Sequence, residues 1–288
     1  AHANTPTTIL ADKSADKSLQ PIVLPTASGI TSVNITTPNA RGLSNNHYSQ
    51  FDVGNSGVIL NNNRQATNTQ IAGFVAANPF MARGEASTIL NQINSSKPSH
   101  LNGFIEVAGK KADVIIANPS GLVINGTGFI NAGNAHLAAA GSQVNQGQVS
   151  GYQVGGDVLV LGTGLDNRQV DFTQVIARHV QLDAPIVANE LQLIASNGYI
   201  DTDGTTTNTS AQGKQITKGR TIAVDIGELG GMYAGKITLI SSEIDTLVNN
   251  QGQIFSGLGG LQLDIGATLL ILAPFLHKAK PPLLPKMQ

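Results

Sequence analysis

The sequence predicts an all-β chain built as a solenoid of stacked coils. Three observations carry this: short apolar alternations bounded by turn residues, an almost complete lack of helical periodicity, and loosely repeated units.

The alternations begin at Ile22. Val33-Asn34-Ile35, Phe51-Asp52-Val53, Val58-Ile59-Leu60, Val114-Ile115-Ile116, Leu122-Val123-Ile124, Val158-Leu159-Val160, Leu191-Gln192-Leu193, Ile237-Thr238-Leu239 and Leu261-Gln262-Leu263 are examples. Nearly all are flanked by Gly, Asn, Asp, Ser or Pro, the pattern of strands separated by turns. The 32 glycines are scattered rather than clustered, which suits many tight turns and argues against a flexible linker. Before Ile22 the chain is polar, with a near-repeat at Ala11-Asp12-Lys13-Ser14 and Ala15-Asp16-Lys17-Ser18, and is expected to be an irregular or partly ordered lead-in.

Helix-like spacing occurs at Gly84 to Ile93, where Ala86, Ile89, Leu90 and Ile93 fall on one helical face. The expectation there is a single short helix, an irregular crossing or a β-excursion.

The repeats are degenerate. Leu191-Gln192-Leu193-Ile194-Ala195-Ser196 is matched by Ile237-Thr238-Leu239-Ile240-Ser241-Ser242, and Val144 to Ser150 shares an Asn/Gln-Gly-Gln-aliphatic-x-Ser core with Val248 to Ser256. Units of roughly 20 residues are expected when each is one coil, stabilised by stacking on its neighbours. Asn at successive turns is expected to stack into hydrogen-bonded ladders. A β-sandwich or an ordinary barrel would also show short strands, but would not favour the recurring Asn-Gly corners.

Composition excludes several functions. Charged residues are 12% of 288, about half the globular share of roughly 25%. The net charge is −1 and no dense Lys/Arg cluster exists, which argues against nucleic acid as a partner. The single basic concentration is Lys278, Lys280 and Lys286 in a Pro-rich tail. The absence of Cys removes disulfides, thiolate metal sites and a Cys nucleophile. With no Trp and 4% aromatics, sugar-stacking platforms are scarce. The longest apolar stretch, Ala267 to Leu276, is broken by Pro274 and is too short to span a bilayer. Ala1-His2-Ala3-Asn4 reads either as what remains after signal-peptidase processing or as an arbitrary start.

Constellations for chemistry are thin. Asp201-Thr202-Asp203-Gly204 resembles a fragment of a calcium loop without its other ligands and is read as a turn. Asp166, Asp171 and Asp183 lie in different units with no matching basic partners. His2, His47, His100, His136, His179 and His277 have no partner at ligand spacing. No Gly-x-Ser-x-Gly elbow is present, and Gly126-Thr127-Gly128 and Gly155-Gly156 are followed by no Lys-Ser/Thr. The expectation is no enzyme: no catalytic residue, no cofactor and no metal.

Several blocks carry a family resemblance. They are Ser32 to Ser44, Asn46 to Val53, Gly57 to Asn62, Ala77-Asn78-Pro79-Phe80-Met81, Leu101-Asn102-Gly103-Phe104-Ile105-Glu106-Val107-Ala108-Gly109, Ala117-Asn118-Pro119-Ser120-Gly121-Leu122 and Gly128-Phe129-Ile130-Asn131. In this order and spacing they resemble the filamentous-haemagglutinin-type, two-partner secretion domain that opens exported adhesins, haemolysins and contact-dependent growth-inhibition toxins. The resemblance is dense from Ser32 to Gly141, and the Leu101 to Gly109 block is closest to the growth-inhibition toxins. Phe80-Met81 stands where the family carries Asn-Leu, and Ser120 where it carries a second Asn; Asn78, Pro79, Asn118, Pro119 and Gly121 match.

The resemblance implies a right-handed parallel β-helix with an N-terminal cap and extra-helical β-strands. The expected boundaries are 1–31 for the lead-in and start of the cap, 32–272 for the secretion-domain helix and 273–288 for an irregular tail, where Pro281-Pro282 and Pro285 break the strand pattern. It also implies export through the periplasm and outer membrane, with the periplasmic POTRA domains of an outer-membrane barrel transporter binding the chain while it is extended. Contact with a target-cell surface would fall to downstream regions. An adhesin module and, further off, a polysaccharide-acting β-helix enzyme are the alternatives. Proline fixes its own φ and extends the residue before it, whose Asn side chain can then bond the turn backbone. Asn78-Pro79 and Asn118-Pro119 are therefore expected to shape turns, to be read by a partner, or both.

Overall fold

The computed structural model describes residues 5–207, 221–243, 246–266, 268–271 and 275–277. The strands form a parallel β-helix of three long sheets. The ten-stranded sheet runs Thr8–Ala11, Leu43–Asp52, Thr88–Ile93, Ala112–Ala117, Ala132–Ala138, Leu165–Ala177, Pro185–Ala195, Gly231–Ser241, Gln253–Ile265 and Phe275–His277. A five-stranded sheet runs Ile22–Pro25, Thr31–Asn34, Val58–Asn62, Ile105–Gly109 and Phe129–Ile130, and a seven-stranded sheet from Ser99–Leu101 to Thr268–Ile271.

Coils stack in register between bulges. Leu90, Ile115, His136, Gln174, Gln192, Thr238 and Gln262 stand side by side on the ten-stranded sheet. The step is 18 residues from Gln174 to Gln192. It is longer from His136 to Gln174 and from Gln192 to Thr238, the stretches that carry the extra-helical strands 140–154 and 199–207. Alternate residues point inward to one continuous core, with Val58, Leu60, Ile89, Val114, Ile116, Leu122, Ile124, Val158, Val160, Leu191 and Leu193 all fully or almost fully buried.

Both N-terminal strands run antiparallel. Thr8–Ala11 pairs with Leu43–Asp52, and Ile22–Pro25 with Thr31–Asn34. They cover the first edges of two parallel sheets, which would otherwise offer unpaired backbone. Within the polar lead-in, the Thr8–Ala11 strand turns Ile9 and Ala11 inward, an alternation too short to register in the sequence. Asp12 fastens it: its carboxylate accepts from Ser14 N at 3.0 Å and from Asn94 Nδ2 at 2.9 Å.

The helix-like segment is a strand from Thr88 to Ile93. Its inward positions are Ile89, Asn91 and Ile93, so a buried Asn hides the period of two. Asn91 is satisfied inside: Tyr48 Oη donates to its Oδ1 at 2.7 Å, and its Nδ2 donates to Ile115 O at 3.1 Å.

Extra-helical strands cover two outer faces. Ala140–Asn145, Gln148–Val154, Tyr199–Asp201 and Thr206–Thr207 form an antiparallel sheet whose Tyr152, Val154 and Ile200 pack on Leu90, Ile115, Ala117, Ala138, Ile176 and Ile194. That explains the unbroken apolar run Val114-Ile115-Ile116: the strand is buried on both faces. The hairpin Thr67–Thr69/Gly73–Val75 covers Ile59 and Ala108. Side chains from the helix tie each excursion. The Glu106 carboxylate accepts from Gln70 N and Ile71 N, and Gln92 Oε1 accepts from Ser142 N at 2.7 Å.

Asparagines stack less than expected. Asn61 Nδ2 bonds Asn34 Oδ1 at 3.1 Å, but most bond backbone carbonyls of adjoining coils. Asn62 reaches Ala86 O and Lys110 O, Asn131 reaches Val107 O and Gly109 O, and Asn189 reaches Arg168 O and Val170 O. Carbonyls at a corner point out of the ladder, and an amide side chain is short enough to meet them there.

Candidate functional site

Asn78 closes the corner between the five-stranded and ten-stranded sheets. Its φ of −87° and ψ of 115° are the extended geometry that a following proline imposes. The side-chain oxygen accepts from Phe80 N at 2.9 Å, capping the short 3-10 turn Pro79–Met81. The two amide hydrogens go to Ile35 O at 3.0 Å and Asn61 O at 2.8 Å. The residue is 2% exposed. Pro79 faces solvent, Met81 is fully buried and Phe80 packs half-buried on the core.

Asn118 closes a different corner, between the ten-stranded and seven-stranded sheets. Its oxygen accepts from Ser120 N at 2.9 Å, and its Nδ2 donates to Lys97 O at 3.1 Å and Ser99 Oγ at 3.0 Å. Its own N–H reaches Ala138 O at 2.9 Å, and its side chain is fully buried. Gly121 ends the turn at φ +116°, where an added Cβ would sit 2.9 Å from Asp157 O. Pro119 is half-buried, and Gly156 passes so close that a Cβ there would lie 2.7 Å from Pro119 O.

The two corners share a construction but no partner. In each, one amide oxygen accepts from the N–H two residues on in its own turn, and both amide hydrogens go to neighbouring segments, so both donors are engaged inside the domain. Each asparagine caps its own turn in this geometry.

The other candidates stand apart. Asp166 has a basic partner after all: Arg168, two residues on in the same strand, meets it at 2.9 and 2.8 Å. Asp183 accepts from Gln181 Nε2 at 2.8 Å. Asp201 and Asp203 both accept from Thr205 N, at 3.1 and 2.8 Å, in a turn. Asp157 is held below the usual carboxylate range by its hydrogen bond from His179 at 2.9 Å. Among the described residues no three His, Asp or Glu side chains are grouped to hold a metal ion. His2, the opening Ala1 to Asn4, and Lys278, Lys280 and Lys286 lie outside the described residues.

Glu106, Gln92 and Asp12 escaped the sequence reading. Glu106 carried a usable signal: a lone carboxylate inside the apolar strand Ile105-Glu106-Val107, with no turn residue beside it.

The family model for the TPS secretion domain matches residues 7–264, which include both corners. The chain belongs to the TPS secretion domain family. It is similar to Toxin CdiA of Yersinia pestis, 48% identical over 263 residues, covering 91% of this chain and 8% of that protein. It is also similar to tRNA nuclease CdiA-2 of Burkholderia pseudomallei, 38% identical over 255 residues, covering 87% of this chain and 8% of that protein. This TPS domain therefore spans about a twelfth of the length of the curated relatives it matches. Among solved structures, the secretion domain of filamentous hemagglutinin superposes with a TM-score of 0.81 at 27% identity, covering 93% of this chain and 96% of that one. The expected all-β, parallel β-helix with cap and extra-helical strands is the fold that this match shares.

Proposed function

We propose that this TPS domain is the secretion-targeting segment of a long exported protein, read by an outer-membrane barrel transporter before it folds. Periplasmic POTRA domains of that transporter bind the extended chain, and the domain then nucleates β-helix folding outside the cell. Asn78, Pro79, Asn118, Pro119 and Gly121 form the sequence that is read. The folded protein is secreted or displayed at the cell surface, and any toxin, nuclease or target-cell contact belongs to regions beyond this domain.

One observation carries this reading: Asn78 and Asn118 are buried, with every side-chain hydrogen bond made inside the domain. A partner can meet those side chains only on a chain that has not yet closed its corners. An unfolded segment with alternating apolar residues, such as Val33 to Ile35, can add to an exposed sheet edge through its backbone, with side chains giving specificity.

The test uses the cognate transporter and its isolated POTRA domains. Peptides spanning Ala77 to Met81 and Ala117 to Leu122 are expected to bind the POTRA domains, and Asn78→Ala and Asn118→Ala peptides to bind more weakly. In cells the same substitutions are expected to block export. Wild-type and substituted peptides binding alike, with export lost only in step with folding stability, would overturn the recognition role and leave the corners structural.

A further inference from the structure

A groove of about 350 Å³ opens on the outer face of the ten-stranded sheet, beside the tip of the hairpin Ala140–Asn145/Gln148–Val154. Its volume lies within the roughly 300–1,000 Å³ of small-molecule sites. Three distant parts of the chain meet there: the corner at Arg41, the sheet strands with Asp113 and His136, and the hairpin with Val149 and Tyr152. The hairpin tip is tied in place by Asn39 Nδ2, which donates to Gly147 O at 2.9 Å. The stem of Arg41 rests against the same tip, since a Cβ on Gly147 would lie 3.4 Å from Arg41 Cγ.

The polar groups of this groove are held in position but left unfinished. Tyr152 is 2% exposed and shares an apolar cluster with Ile115, yet its hydroxyl keeps an open surface and makes no hydrogen bond among the described residues. Asp113 Oδ1 accepts from Asn134 N at 2.9 Å, and its second oxygen has no partner among the described residues. His136 Nδ1 meets Gln174 Oε1 at 2.7 Å and so carries the ring proton, which leaves Nε2 a lone pair. Burial holds this ring below its ordinary pKa of 6.5, so it stays uncharged at neutral pH. Arg41 is exposed and enters no ion pair among the described residues. Leu43, Thr88 and Asp113 stand side by side on successive strands, so the Arg41 corner and the carboxylate lie two strand spacings, about 10 Å, apart.

We propose that this groove binds a free α-amino acid with an apolar side chain. The ammonium donates to Asp113 Oδ2, His136 Nε2 and Tyr152 Oη, all able to accept. The carboxylate pairs with the Arg41 guanidinium. An α-amino acid with one hydrogen bond at each end spans about 9 Å, close to the two-strand separation. Its side chain lies against Leu43, Ile115 and Val149. A lone anion would be repelled by Asp113 and a lone cation by Arg41. An uncharged apolar molecule would leave both charges and the Tyr152 hydroxyl without partners. The corner, the strands and the hairpin must all have closed before the groove exists, so the ligand stabilises the folded form alone.

The test titrates L-leucine, isopentylamine and 4-methylpentanoate into the folded protein while the backbone amide signals of Gly147 and Val149 are followed by NMR. L-Leucine is expected to shift them saturably. The amine and the acid should each bind at least about tenfold more weakly, since each lacks one charged hydrogen-bonding group. Arg41→Gln, at an exposed rim, should weaken leucine to the level of the amine and leave the amine unchanged. Tyr152→Phe, which keeps the ring, should weaken leucine and the amine and leave the acid unchanged. Saturating leucine should raise the urea midpoint of the wild type more than that of Arg41→Gln. No saturable shift, equal binding of the three probes, or leucine binding untouched by Arg41→Gln would overturn the proposal. None of these readouts involves export, so it stands or falls apart from the targeting role.

Discussion

The buried carboxylate of Glu106 grips the backbone of Gln70 with both oxygens, at 2.9 and 2.8 Å, and takes the N–H of Ile71 as well. One side chain in the helix wall thereby holds the apex of a hairpin that is further attached by a small apolar contact through Ala72 and Val75 and by a hydrogen bond from Ser28 Oγ to Ala72 O at 2.9 Å.

Glu106→Gln replaces one accepting oxygen with a donor that faces backbone N–H groups. Hydrogen bonds to a charged acceptor contribute about 1.5–3 kcal/mol, so the loss should fall in that range. Hydrogen exchange is expected to speed up across 67–75 and to change little in the strand Ala112–Ala117. Uniform loss of protection would show that the hairpin is not held separately.

Gly121→Ala forces a side chain into a positive-φ position and a Cβ to 2.9 Å from Asp157 O. Strain at such a position costs of order 1–3 kcal/mol, visible as a lower urea midpoint with an unchanged slope. Gly29→Ala, also at positive φ but with open space around the added Cβ, should cost less. Equal losses would mean that the Asp157 contact relaxes without penalty.

His136 makes stability depend on pH. Its Nδ1 meets Gln174 Oε1 at 2.7 Å, and Gln174 passes the chain on to Gln192 at 2.8 Å. Burial lowers its pKa below the ordinary 6.5, outweighing the Gln174 bond and the Asp113 charge. As pH falls, the unfolded chain binds the proton first, so stability declines from about pH 6.5 down to the folded value and then levels off. His47 is lowered by burial too and adds to the same window. Urea midpoints measured between about pH 7 and 5 should fall less steeply in His136→Gln than in the wild type. Identical slopes would remove His136 from the titration.

The solenoid could be read from the sequence wherever one strand face meets solvent, as at Leu191-Gln192-Leu193, because the wet positions then mark the period. It could not be read at Thr88–Ile93, where Asn91 points inward, nor at Val114-Ile115-Ile116, where a second sheet buries the outer face. The Asn-Pro corners were legible because proline and asparagine act on their own backbone. Their saturation was not, since Ile35, Lys97 and Ser99 lie far off in the chain. Glu106 and Gln92 went unseen for the same reason: a hook is defined by the loop it catches.

The direction in which the asparagines reach has a temporal consequence. Asn78, Asn118, Asn131, Asn189 and Asn249 all donate to residues that precede them, whereas Asn62 and Asn91 donate to residues 24 to 48 positions later, Asn46 donates both to Ser44 and to Leu90, and Asn39 reaches Gly147. For a chain delivered N-terminus first, the amide of Asn91 must wait until Ile115 has arrived and that of Asn39 until Gly147 has. By contrast, the side-chain amides of Asn118, Asn131, Asn189 and Asn249 find their acceptors already in place, and growth becomes a ratchet that advances coil by coil.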